Sequence, residues 1–147
     1  MPRPKFKKDH VVTSVVAVII NDAGEVLLTR RNIPPFKGDW VMPGGKIDLG
    51  EQIVRALKRE VMEEVGLAVE VQNLLDVFEH VTPGDEHYHF VILYYRCHPL
   101  SSEIIHNDEE VSEVRWVPPE DLSNYKMPDG TKFILEKLFP EPIYCEI

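Results

Sequence analysis

Glu60, Glu63 and Glu64 fall within five consecutive positions, with Arg59 directly before them and Glu51 further upstream. Scored as a helix from Gly50 to Val65 at about 100° per residue, the segment carries one apolar stripe of Ile53, Val54, Leu57 and Val61. Glu60 and Glu64, spaced i and i+4, fall at the edge and the middle of that stripe, and Glu63 sits one step further round. A purely structural helix would turn these side chains to water, because buried carboxylates are costly unless paired or bound to metal. Three carboxylates on adjoining turns would also repel one another and raise at least one pKa. A hard divalent cation removes that repulsion, and oxygen-only ligands favour Mg²⁺ or Mn²⁺ over Zn²⁺. The plain alternative is an acidic, solvated helix face.

Arg59 and Glu51 project from other faces, where an Arg59–carboxylate pair would hold the local geometry. Asp48, Gly50 and Glu51 surround the helix N-terminus, where negative charge suits the dipole, and Gly66 is placed to end the helix. Before the helix runs Met42-Pro43-Gly44-Gly45, which reads as a strand-to-helix turn. Proline fixes φ there, and the two glycines permit backbone geometry closed to other residues. With no side chain in the way, a carbonyl in this turn can approach a metal or a phosphate.

The elements that must position these groups follow from pattern. Val11–Ile20 and Val26–Arg31 read as strands joined in a hairpin by the turn signal Asn21-Asp22-Ala23-Gly24. A Pro-rich loop, Asn32 to Asp39, leads to a short strand at Trp40–Met42. Val69–Val81 and His87–His98 form a long hairpin around Thr82-Pro83-Gly84-Asp85, and Val114–Val117 is another strand. Pro118–Leu122 reads as a short helix and Gly130–Phe139 as a C-terminal one. Strands followed by helix, strands and helix imply a mixed sheet covered by helices on both faces. Within it, Phe36 and Trp40 are candidates to stack on a base, with core packing the competing role. His87, His89 and Trp116 suit structural roles.

At 147 residues and 44% hydrophobic, the chain suits one domain, residues 1–147, with a real core. A net charge of −9 argues against a nucleic acid polymer as partner. Arg3, Lys5, Lys7 and Lys8 precede the apolar run VVTSVVAVII as in a signal peptide, but no small-x-small cleavage site follows. No stretch approaches the roughly 18 apolar residues of a membrane span. Cys97 and Cys145 make no disulfide framework, and a reduced, cytoplasmic setting is the simpler expectation.

The stretch Gly45 to Leu67, GKIDLGEQIVRALKREVMEEVGL, matches every fixed position of the Nudix box, G-x5-E-x7-R-E-U-x-E-E-x-G-U, with U a bulky aliphatic. The chain thus resembles the Nudix hydrolases, which cut a diphosphate linked to another moiety, usually a nucleoside. The resemblance implies an α/β (α+β) fold of the α/β/α sandwich type with a mixed β-sheet. It implies Mg²⁺-dependent hydrolysis, with Mn²⁺ able to substitute, and metal held by Glu60, Glu64, Glu63 and the Gly44 carbonyl. Glu51 and Arg59 belong to the same catalytic box. Similar hydrolases hold a substrate phosphate with an arginine at the end of strand two. Of Arg30 and Arg31, which alternate faces, only one can enter the cleft, and Arg31 is favoured. Many members carry a glutamate before the strand at Val114, where Glu110 is favoured over Glu109 as general base; failing it, a box glutamate serves.

The implied partner is a small-molecule nucleotide, with no membrane, and the protein a monomer or homodimer. The stretch VLLTRRNIPPFKGDWVMPGGKIDLGE looks like MutT-type nucleoside triphosphate pyrophosphohydrolases, the slightly favoured class. Met127-Pro128-Asp129 is similar to a base-reading segment of oxidised-purine hydrolases, although a turn explains it equally. Pro83 stands where ADP-ribose pyrophosphatases often have proline, and RNIPPFKGDWVMPGG resembles nucleotide-sugar hydrolases, so both remain alternatives. A non-catalytic nucleotide-binding module is a further alternative that the complete glutamate set opposes.

Overall fold

The computed structural model describes residues 10–82 and 88–140. The turn around Pro83, His87, the basic residues before His10 and Cys145 lie outside the described residues. Among the described residues, seven strands and two α-helices run in the order β1 (Val12–Ile19), β2 (Val26–Arg31), β3 (Trp40–Val41), β4 (Gly44–Lys46), α1 (Ile53–Val65), β5 (Val69–Val81), β6 (His89–Pro99), β7 (Val111–Val117) and α2 (Asp129–Leu138). A 3-10 turn, Pro119–Asn124, stands where a short helix was expected from Pro118.

Two sheets form, ordered β4-β1-β6-β5 and β3-β2-β7. The first is mixed, since β1 runs parallel to β6 and antiparallel to β4. β1 explains why both faces are covered. Val15, Ala17 and Ile19 pack with Ala56, Leu57, Val61 and Val65 of α1, whereas Val18 and Ile20 pack with Ile134 and Leu135 of α2. A strand buried on both faces reads as a near-continuous hydrophobic run, which is what VVAVII is. The layers are therefore helix, sheets, helix. No helix among the described residues is long and apolar enough to cross a membrane.

Several local expectations change. The turn after β1 exists, with the Asn21 side chain accepting from the Ala23 and Glu25 N–H groups. No long hairpin follows it, however. Only Ile20 and Val26 bridge, and the two strands then enter different sheets. Gly44-Gly45 is not a turn but strand β4, paired with Val15 and Val16. β7 begins at Val111, three residues before the sequence pattern suggests. Helix α1 begins at Ile53 instead of Gly50. Ile53 and Val54 are 39% and 41% exposed, so the buried stripe runs through Ala56, Leu57, Val61, Glu64 and Val65. Gly66 closes the helix in the left-handed region at φ 69°, as its position predicts.

Candidate active site

Two short elements bring the acidic groups together. β4 lies against β1 on one side and α1 on the other, and the spacing depends on glycine. A Cβ at Gly44 would stand 2.4 Å from the Val15 carbonyl oxygen, and one at Gly45 would stand 2.5 Å from the Glu60 carboxylate. Neither glycine has positive φ. They are therefore required for close approach, not for unusual backbone geometry.

Glu64 is 8% exposed although it is a carboxylic acid. Burial pushes its pKa well up, Glu60 and Glu110 add like-charge repulsion, and the Gly44 N–H opposes the shift by donating to it. Burial also raises Glu60, against stabilising contacts from Glu64 and Arg59. The two carboxyl groups are also hydrogen-bonded to each other, which couples their charges.

Arg59 braces this group from outside. Its Nε and Nη2 reach Glu51 at 2.7 and 2.9 Å, a bidentate contact, and Nη1 reaches Glu60 at 3.0 Å and Glu63 at 2.9 Å. Glu51 lies just outside the helix, and the Arg59 guanidinium lowers its pKa to about 2. Glu51 also accepts from the Asp48 N–H at 3.2 Å, so the loop into α1 is tied to the same guanidinium. Neither Arg59 nor Glu51 lines the cavity described below. Both touch the cavity's acids from outside it, Arg59 directly and Glu51 through Arg59.

Among the described residues no three His, Cys, Asp or Glu side chains converge as a ready metal cage. The donor chemistry nevertheless fits a hard divalent cation. Burial of Glu64 and partial burial of Glu60 oppose charge on both neighbouring acids, and a glycine keeps the space beside Glu60 clear. A cation between them would offset that penalty and satisfy both acids.

These carboxylates form one end of a cavity of about 450 Å³. Glu60, Glu63, Glu64, Gly44 and Glu110 all line it, as do Arg31 and Phe36. Arg31 points inward as the strand alternation suggests. Burial lowers its pKa, and the charges of Glu64 and Glu110 hold it up. Its guanidinium donates to the Pro34 and Pro35 carbonyls, which fixes the Pro-rich loop at the cavity mouth. Asn32 fixes the other wall, its N–H donating to the Glu110 carbonyl at 2.9 Å. Glu109 is exposed and lies off the cavity.

Two expected substrate contacts are elsewhere. Arg30 faces away and pairs with Glu113 at 3.3 Å. Trp40 is a core residue, edge-on to Tyr125 at 5.1 Å between centroids, with the Arg115 guanidinium 5.2 Å from its ring centre. Its strand turns the indole to the α2 side, beneath those two side chains. Of the far wall of the cavity, only Pro128 and Asp129 were singled out by the sequence. Phe90, Ile92 and Tyr94 line it from β6, Phe78 and His80 from β5, and residues 128–131 from the start of α2. A period of two in bulky residues on β6 is the signal that could have marked this wall. His89, by contrast, pairs with Glu79 at 2.6 Å and plays no part in it.

The family model for the NUDIX domain matches residues 10–139. The chain belongs to the NUDIX family. A MutT-like protein of Streptomyces ambofaciens is 34% identical over 110 residues, 75% of this chain and 66% of the relative. The 8-oxo-dGDP phosphatase NUDT18 of Homo sapiens is 34% identical over 117 residues, 80% of this chain and 35% of the relative. The chain therefore spans about two thirds of the first of these NUDIX proteins and about a third of the second. The crystal structure of a MutT NUDIX hydrolase from Burkholderia pseudomallei superposes with a TM-score of 0.81 at 31% identity, covering 88% of this chain and 99% of that one. NUDIX hydrolases in general depend on divalent metal.

Proposed function

We propose that this NUDIX protein hydrolyses the phosphoanhydride bond of a nucleoside phosphate with the help of a divalent cation, Mg²⁺ or in its place Mn²⁺. The observation that carries the reading is the buried Glu60–Glu64 pair, clamped by Arg59 at one end of a cavity whose other end is aromatic. Such a cavity suits a ligand that is anionic at one end and flat and apolar at the other. Glu60, Glu64, Glu63 and the Gly44 carbonyl would hold the cation. When bound, it supplies neutralisation of the phosphate charge and acidification of water.

The chain's own groups do the rest. Arg31, inside the cavity, orients a phosphate oxygen. Glu110 lies across from Glu64 and takes the proton of the attacking water. A new P–O bond forms at phosphorus as the anhydride P–O bond breaks, and the leaving phosphate carries away the negative charge. Phe36, at the mouth, packs on the nucleoside.

A nucleoside triphosphate or diphosphate is the favoured substrate. In support, the relatives include a MutT-like protein, an 8-oxo-dGDP phosphatase and a nucleoside triphosphatase, NudI of Salmonella agona, 29% identical over 132 residues. ADP-ribose or a nucleotide sugar is the second reading. The NUDIX domain of Shewanella oneidensis NrtR was crystallised with ADP ribose, and at 21% identity it shares the fold with this chain.

A panel of nucleotides with Mg²⁺, read by product mass, tests both. The account expects nucleoside monophosphate plus phosphate or pyrophosphate. AMP plus ribose phosphate from ADP-ribose, with triphosphates untouched, would favour the second reading. Ligand-induced shifts in melting temperature with no product from any nucleotide would show a binding module and refute hydrolysis.

A further inference from the structure

Glu110 closes a turn, residues 108–110, in which Asp108 and Glu109 are exposed. Packing does little to fix such a turn, so polar contacts must set where the Glu110 carboxylate stands. Two half-buried asparagines supply them. The Asn107 N–H donates to the Glu64 carbonyl at 2.9 Å, in the last turn of α1. Its own carbonyl accepts from the Glu110 and Val111 N–H groups at 3.1 and 2.8 Å. Its side-chain Oδ1 accepts from the Glu109 N–H at 3.0 Å. One residue thus ties the turn bearing Glu110 to the helix turn bearing Glu64.

Asn32 holds the turn from the other side. Its Nδ2 donates to the Asp108 carbonyl at 3.0 Å and to the Glu109 carbonyl at 3.4 Å, while its N–H donates to the Glu110 carbonyl. A β-bulge brings Asn32 to that place. Arg30 pairs with Glu113 but Arg31 pairs with Val111, so Ser112 is the extra residue on β7, and its Oγ donates to the Arg30 carbonyl at 3.4 Å. Without that shift Asn32 would stand opposite Val111 instead of Glu110. Asn32 directly follows Arg31, and both Arg31 and Glu110 line the cavity. The end of β2 therefore carries the arginine assigned to phosphate and half of the grip on Glu110.

We propose that Asn32 and Asn107 are positioning residues for Glu110, two side-chain amides that hold its carboxylate across from Glu64. The proposal rests on the reading in which Glu110 accepts the proton of the attacking water. The two amides act with opposite polarity, Asn107 as acceptor and Asn32 as donor. Asn107→Asp keeps the oxygen that the Glu109 N–H needs. Asn32→Asp removes the donor and sets a carboxylate against two carbonyl oxygens.

The experiment measures kcat and KM with Mg²⁺, on a nucleotide that the wild type hydrolyses, for Asn32→Ala, Asn32→Asp, Asn107→Ala and Asn107→Asp. The alanine variants are also made in the Glu110→Gln background, and melting curves verify the fold. Each alanine variant should lose about tenfold in kcat with KM within about twofold, since a displaced base costs turnover and not ground-state binding. Asn107→Asp should restore the rate and Asn32→Asp should not. In Glu110→Gln, itself slowed, neither alanine substitution should cost anything further, because no base is left to position. A merely structural role would lower kcat in both backgrounds. Amide hydrogen exchange reads the same contacts without substrate: the Glu109, Glu110 and Val111 N–H groups should exchange about tenfold faster in each alanine variant, with α1 unchanged. Unchanged kcat in both alanine variants, an equal fall in the Glu110→Gln background, or a wild-type rate for Glu110→Gln would overturn the inference and leave hydrolysis standing. A wild type that yields no product from any nucleotide would defeat the hydrolase reading instead. Exchange would then decide alone, faster in both alanine variants if the asparagines hold the turn and unchanged if they do not.

Discussion

The two ends of the cavity are built in opposite ways. At the acidic end, polar contacts are dense: Arg59 alone touches Glu51, Glu60 and Glu63, and Asp48 lies 3.5 Å away. At the aromatic end, Phe78 and Phe133 pack at 5.2 Å between ring centres, and the Tyr94 hydroxyl has no partner among the described residues. The first end is preorganised to hold charge, and the second leaves a hydrogen-bonding position for something else to fill. Reaction and recognition are therefore separable, and substitutions at the two ends should fail differently.

The largest effect belongs to the buried pair. Glu60→Gln or Glu64→Gln should lower turnover by on the order of 100-fold or more, comparable with removing a preorganised charge-stabilising group. Steady-state kinetics with Mg²⁺ on a nucleotide that the wild type hydrolyses would check this. Full activity in Glu64→Gln would remove the acidic end from the mechanism. The same substitution should have the reverse effect on metal-free stability. It replaces an acid whose charged form is opposed by burial and by Glu60 and Glu110, so with chelator present the variant should melt a few degrees higher.

Adjacent glycines give a sharper contrast. Gly45→Ala directs its new methyl at the Glu60 carboxylate, a side-chain tip that can swing away, so activity should fall at least tenfold with little loss of stability. Gly44→Ala meets the β1 backbone instead, and overpacking there should destabilise by roughly 1–3 kcal/mol. Equal melting temperatures for the two variants would contradict this division.

Arg59→Lys comes next. A lysine is a point charge and cannot reproduce the bidentate contact to Glu51 while also reaching Glu60 and Glu63. Activity should fall about tenfold, mainly in kcat, because the carboxylates lose their brace while the Arg31 side of the cavity is intact. Arg30→Ala, which removes only an exposed pair with Glu113, should stay close to wild type in the same assay.

The smallest effect concerns how α2 is held at the aromatic end. Lys137 of α2 donates to Asp76 of β5, and this contact lowers the Asp76 pKa below its ordinary 3.8. A depressed carboxylate pKa contributes stability above the unfolded value, and that contribution disappears as pH falls through the folded one. Melting curves of wild type and Asp76→Asn should therefore differ slightly near neutrality and converge at strongly acid pH. Divergence on acidification would reverse the sign and reject the pair.

The same asymmetry decided what the sequence could reveal. The acidic end is nearly contiguous, Gly44 to Glu64, and one helical period puts Glu60 and Glu64 on the core side. Gly66 ended the helix for a local reason, its left-handed backbone. The aromatic end is assembled from β5, β6 and α2, which meet only through sheet order and two register shifts in the β5–β6 pairing. Nothing local states that Tyr94 faces Gly130. Ile53 and Val54 were misassigned because apolar periodicity cannot tell where a helix leaves the sheet it packs on. For Trp40 the sequence left base stacking and core packing both open, because the neighbours that decide for the core, Tyr125 and Arg115, come from distant segments. Gly44-Gly45 looked like a turn because glycine signals freedom and lack of bulk equally well, and here lack of bulk was the requirement.

The central claim is that the Glu60–Glu64 pair is a divalent-cation site. Titrating Mn²⁺ into wild type and Glu64→Gln, with free ion followed by electron paramagnetic resonance, tests it without any substrate. The account predicts binding by the wild type and affinity weakened at least tenfold in the variant. Equal affinity in the two proteins, or no binding by either, would contradict it.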